Sequence, residues 1–136
     1  MTIPQFVKEQ LSRWPLAADN HKALENVHVR EVDVNGLTVR LQFNPARMIS
    51  SAAKLNKEDI AKRRCFLCVE NRPTVRMNIP FEGCDGHQYH ILVNPYPIFA
   101  NHLVVAKSPH QDQSIAGRYD DMLKLARSFS ECSFYH

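Results

Sequence analysis

Two cysteines with two residues between them, in Arg64-Cys65-Phe66-Leu67-Cys68, are the side chains here whose type and spacing can do chemistry. A tight turn brings such a pair of thiols onto one metal ion, each sulfur about 2.3 Å from a tetrahedral zinc. Two ligands do not make a site, and the groups that complete it decide what it does. The candidates downstream are Cys84, His87, His90, His102, His110, Cys132 and His136. Spacing alone favours Cys84 with His87: Cys-x2-Cys, a gap of fifteen residues, then Cys-x2-His has the form of a zinc ribbon, a closed structural site. Against that, the intervening Asn71-Arg72-Pro73 and Ile79-Pro80-Phe81 do not read as ribbon hairpins. His110, in Lys107-Ser108-Pro109-His110, is a second candidate that spacing neither supports nor excludes. A thioredoxin-like redox reading lacks its βαβ context. Taken singly, Cys84 and Cys132 read as small core residues, His21 and His28 as surface residues, and His90 as a strand histidine satisfied locally.

The elements that position these groups follow from periodicity. Phe6, Val7, Gln10, Leu11 and Trp14 lie at helical spacing, and Pro15 ends the pattern. Leu37, Val39, Leu41 and Phe43 alternate with Thr38, Arg40 and Gln42, which predicts a strand over 37–43 with one apolar face. Val27, Val29, Val32 and Val34 predict a strand over 27–34 whose phase slips near Glu31, the mark of a bulge. Asn35-Gly36 joins the two as a type I′ turn. Asn44-Pro45-Ala46-Arg47 leaves the sheet, and Asn56, Glu58 and Asp59 open a short helix reaching Arg63. Residues 74–86, with their prolines and glycines, read as a long loop. Strands follow over 89–94 and 102–107, and their short connection through Pro95-Tyr96-Pro97 fits an antiparallel pair. Tyr119, Met122, Leu123, Leu125, Ala126 and Phe129 mark an amphipathic helix near 117–129, and a further strand begins over 132–135.

Composition sets the frame. A chain of 136 residues, 44% hydrophobic, suits one domain with a real core. A net charge of +3, with Lys62-Arg63-Arg64 as the one local basic cluster, excludes a dedicated nucleic-acid face and leaves room for a small phosphate-bearing ligand. No apolar run is long enough to cross a membrane, and Met1-Thr2-Ile3-Pro4-Gln5-Phe6 shows no basic flank followed by an apolar run, so the chain reads as cytosolic. In a reducing compartment four cysteines are not a disulfide framework, which adds weight to metal binding at the close pair. Arg47, Arg64 and Arg72 are the candidate phosphate-seeking arginines, and each reads equally as a solvated surface residue.

A longer pattern runs through the second half of the chain: Arg64-Cys65-Phe66-Leu67-Cys68, Asn71-Arg72-Pro73, Ile91-Leu92-Val93-Asn94-Pro95-Tyr96-Pro97-Ile98-Phe99, His102-Leu103-Val104-Val105 and Ser108-Pro109-His110. It resembles the first half of a histidine-triad-superfamily nucleotidyltransferase, in the branch around galactose-1-phosphate uridylyltransferase, diadenosine tetraphosphate phosphorylase and GDP-L-galactose phosphorylase. A bacterial family of unassigned function in that branch is more similar still, sharing Gln42-Phe43-Asn44-Pro45-Ala46-Arg47 and Ser50-Ser51-Ala52-Ala53-Lys54.

The resemblance implies an α+β fold: a mostly antiparallel sheet packed by one main helix, an incomplete half-barrel. It implies zinc on Cys65, Cys68 and His110, the last in a stretch one residue shorter than in the uridylyltransferases, with a fourth ligand from a later His-x-His motif. It also implies nucleotide or nucleotide-sugar binding, with Asn94 at the ribose and Ile91, Val93, Ile98 and Phe99 along the base; Arg72 is the accompanying phosphate-side candidate. The superfamily's nucleophile is the second histidine of that His-x-His, which attacks the α-phosphorus. No His-x-His occurs in this sequence. Two expectations follow: an amino-terminal portion of a nucleotidyltransferase or phosphorylase that lacks the nucleophile, or a non-catalytic zinc-stabilised module. Neither involves nucleic acid or a membrane. An unfinished sheet edge would favour a homodimer, which sedimentation would register.

Overall fold

The computed structural model describes residues 1–48, 62 and 64–133. The chain divides into two compact units, Met1–Arg63 with Val93–His102, and Arg64–Leu92 with Leu103–His136. Helix and antiparallel sheet are mixed, an α+β fold, but among the described residues the strands form two small sheets where one was expected.

The first unit opens on helix α1, Ile3–Arg13. Thr2 caps it: its hydroxyl accepts from the Gln5 N–H while the Gln5 side chain accepts from the Thr2 N–H, so two donors otherwise orphaned at the helix start are satisfied. Ile3, Phe6, Val7 and Gln10 recur on one face and are buried. Each such apolar side chain contributes about 2 kcal/mol. As the sequence suggested, Pro15 closes off α1, which ends at Arg13, but it has a second role. It starts helix α2, Pro15–Lys22, because the first position of a helix needs no N–H and the fixed φ of proline suits it. Trp14 between the helices is extended, as a residue before proline must be, and is buried.

Strands β1, His28–Val34, and β2, Leu37–Phe43, pair antiparallel in one unbroken register from His28 opposite Phe43 to Val34 opposite Leu37. The bulge expected near Glu31 is not formed: Val29 and Val32 simply lie on opposite faces. Asn35 and Gly36 both have positive φ, the geometry a type I′ turn demands, and Asp33 Oδ1 accepts from the Gly36 N–H. On one face lie Val32, Val34, Leu37, Val39, Leu41 and Phe43; of these only Val32 is not exposed. Asn44 closes a short 3-10 turn over Pro45–Arg47 through its side-chain oxygen and the Ala46 N–H. The helix expected over 56–63 falls outside the described residues, Lys62 excepted.

The second unit carries a three-stranded sheet in the order β3-β4-β5, with β3 Ile79–Glu82, β4 Gln88–Val93 and β5 Leu103–Ser108. The loop expected over 74–86 thus contains a strand. Ile79 and Phe81 alternate with Pro80 and Glu82, and proline is tolerated because β3 is an edge strand. Ile91, Leu92 and Val93 are consecutive and all buried, as befits the middle strand of the three. Helix α3, Tyr119–Ser128, begins on Asp120 and Asp121, whose charges suit the positive end of a helix. Phe81 meets the Tyr89 and Phe129 rings, with centroids 6.2 and 6.3 Å away. Of the strand expected over 132–135, Cys132 instead sits in a turn closed by its N–H on the Phe129 carbonyl, and the portion beyond Ser133 lies outside the described residues.

Candidate metal centre

Cys65 and Cys68 stand on a tight turn that Cys68 closes by donating its N–H to the Cys65 carbonyl, at 3.2 Å. His110 follows β5 by two residues, after a cis Ser108–Pro109 peptide. Although the two residues are 42 positions apart, the Cys68 sulfur lies 3.1 Å from His110 Nδ1. The ligand atoms of Cys65, Cys68 and His110 all lie within 4.8 Å of one another, a group able to hold a metal ion. It is the one such group of three among the described residues. The two cysteines are half-buried, His110 is exposed, and all four cysteines of the chain are free thiols. Two thiols and an imidazole are the donor set that zinc favours.

Desolvation first, then the hydrogen bond and charge of Cys65 and the charge of Glu70, push the Cys68 thiol up, against the opposing pull of Arg72. Arg72 sits in the field of both cysteines, yet its half-buried guanidinium is itself drawn down by desolvation. Burial and the like charge of Arg72 bring Arg76 down to about 10, still a cation at neutral pH.

Spacing had favoured Cys84 and His87 as partners, and the structure employs them elsewhere. Asp121 at the start of α3, buried, accepts from the Cys84 N–H at 2.5 Å, from His87 Nδ1 at 2.7 Å and from the Tyr89 hydroxyl at 2.5 Å. Burial would raise its carboxyl, but these three donors outweigh it and hold the group at about 2. The same contact drives the Tyr89 hydroxyl upward, after desolvation. Gly83 makes the approach possible, since a Cβ there would stand 2.8 Å from Asp121 Cγ and 2.9 Å from the Tyr89 ring. Lys124, one turn along α3, donates to the Gly83 carbonyl. His87 therefore anchors a loop to a helix.

The remaining sequence candidates fall as follows. Asn94 organises the connection 94–102: its side-chain oxygen accepts from the Tyr96 N–H, and its own N–H donates to the His102 carbonyl. Its carbonyl faces His21 Nε2 at 3.1 Å, so His21, expected at the surface, is a half-buried brace. Asn20 and Gln42 donate to the carbonyls of Pro95 and Ile98 in the same connection. His102 Nδ1 accepts from the Ile98 N–H and its ring lies 4.7 Å from that of Phe99; desolvation, then Arg47 and His21, lower it. Ile91 and Val93 are buried, whereas Phe99 is exposed. His90 on β4 meets the Asn78 side chain at 3.1 Å, a locally satisfied strand histidine. Sequence reasoning did not single out Asn71 or Arg76 beside the thiols, nor Asp121. The signal for the first two was proximity: donor side chains three and eight residues beyond Cys68 can reach back to that turn.

A family model described as a domain of unknown function (DUF4922) matches residues 6–136. No curated protein and no solved structure matches the chain. No helix among the described residues is long and apolar enough to cross a membrane.

Proposed function

The chain belongs to the family described as a domain of unknown function (DUF4922), and we propose that it is a zinc-holding domain of the nucleotidyltransferase or phosphorylase kind. The observation that carries this reading is the convergence of Cys65, Cys68 and His110. These are the three ligands implied by the resemblance to the uridylyltransferase branch, and the third is too far along the chain for spacing to have selected it. Zinc, when bound there, supplies a fixed positive charge and a cross-link between the cysteine turn and the end of β5. The chain's own residues then bind and orient: Asn94 shapes the 94–102 connection, and the exposed Phe99 within it supplies apolar surface for a base. The ligand class is a nucleotide-linked sugar or a dinucleotide. No covalent step is assigned to this chain, because it contains no His-x-His.

Calorimetric titration of the zinc-loaded chain with nucleoside diphosphate sugars and dinucleoside tetraphosphates tests the ligand class. At least one should bind, and Asn94→Ala should weaken it about tenfold, the loss of roughly one well-placed hydrogen-bonding group. A second reading, a non-catalytic module stabilised by zinc, draws on the same Cys65, Cys68 and His110 group. That reading gains if the zinc-loaded chain binds none of the panel.

A further inference from the structure

We infer that Asn71, Arg72 and Arg76 are positioning residues that hold the Cys65–Cys68 turn in its metal-receiving form before any metal arrives. The inference rests on reading Cys65, Cys68 and His110 as a zinc site, and concerns how that site is built. Every carbonyl of the turn accepts a hydrogen bond. Cys65 O takes the Cys68 N–H and, at 3.0 Å, Asn71 Nδ2. Phe66 O takes Arg76 Nη1 at 3.1 Å, and Leu67 O takes Arg72 Nε at 2.7 Å. Cys68 O takes the Asn71 N–H at 3.1 Å. The Arg76 guanidinium carbon also lies 5.5 Å from the centre of the Phe66 ring, so the side chain between the two thiols is held against a cation.

The three clamping residues are themselves fixed in place. Val69–Asn71 form a single 3-10 turn that Arg72 ends with its N–H on Val69 O, and the Arg76 N–H closes on Pro73 O. Arg76 is buried, an expensive position for a cation unless its hydrogen bonds are made. Hydrogen bonds on successive carbonyls fix successive peptide planes, and the planes fix the directions in which the two cysteine side chains leave the backbone. A short loop of this kind ordinarily takes its shape from the metal, so that binding and ordering are one event. Here the ordering is supplied by the eight residues that follow Cys68. Two of the three clamps are also cations, which suits a turn that must carry thiolates once loaded.

The test uses the full chain with zinc alone as probe. Zn²⁺ affinity is measured by competition with a chromophoric chelator for the wild type, Asn71→Leu and Arg72→Lys, and amide exchange at Cys68 is followed in the metal-free chains. The first variant removes a neutral donor and the second keeps the charge while losing the planar Nε–H, so neither effect reduces to net charge. The wild type should protect the Cys68 amide without metal. Both variants should bind zinc about tenfold or more weakly, the usual cost of losing support around metal ligands. They should also lose that protection, with far-UV dichroism unchanged. A wild-type chain that binds zinc while both variants bind it as tightly overturns this inference alone. A wild-type chain that binds no zinc overturns the metal reading and this inference with it.

Discussion

Asp121 accepts three hydrogen bonds within the second unit, and its charge has a consequence for stability. Its carboxylate accepts from Tyr89, the Cys84 N–H and His87, and is held at about 2 in the folded chain. An unfolded aspartate titrates near 4. The folded value is the lower one, so the stabilisation is present above about pH 4 and is lost as pH falls through about 2. Asp121→Asn should remove that part of the acid-unfolding profile and cost about 2 kcal/mol at neutral pH, measured by denaturant unfolding. A variant with the wild-type acid profile would show that the carboxylate's partners do not favour its charged form. At this scale the sequence was legible where chemistry is local: Cys65 and Cys68 announce themselves by spacing. Spacing did not separate His110 from His87; only the longer resemblance pointed to His110. Cys84-x2-His87 imitates a ligand pair, and only folding shows that Asp121 claims His87 while β5 delivers His110 to Cys68.

Among the elements, the β1-β2 hairpin was the most readable, because every determinant of it is short-range. Alternation set the faces of 37–43, and Asn35-Gly36 could be read as a turn since both residues tolerate positive φ. Gly36 has no neighbour within 4 Å of where a Cβ would lie, so Gly36→Ala tests conformation alone. It should cost about 1 kcal/mol in unfolding free energy, the penalty for an L-residue in the left-handed region. No loss of stability would mean that the turn does not depend on that conformation. Harder to read were the places where proline carries two meanings. Pro15 was read as the stop of α1, which it is, and it also starts α2; Pro80 looked like loop and lies in an edge strand. Both depend on context that periodicity does not contain: which N–H would have gone unpaired anyway, and which side of a strand lacks a neighbour.

For the molecule as a whole, an α+β class was readable from helical and alternating segments in one chain, while the division of its strands between two sheets was not. Sheet membership is decided by which strands pair across long sequence separations, and apolar alternation says nothing of the partner. The two compact units divide the work, one built on α1, α2 and the hairpin, the other carrying the thiol turn, its clamps, His110 and the Asp121 cluster. Every member of the candidate metal centre and every donor that braces it belongs to the second unit. The central claim is therefore best met by measuring zinc content directly, by mass spectrometry of the metal in chains purified under the same conditions. The wild type and Cys84→Ser should each carry about one zinc per chain, while Cys65→Ser and His110→Ala should carry little or none. Zinc retained by His110→Ala but lost from Cys84→Ser would contradict the account, placing the metal in the ribbon-like site of Cys65, Cys68, Cys84 and His87.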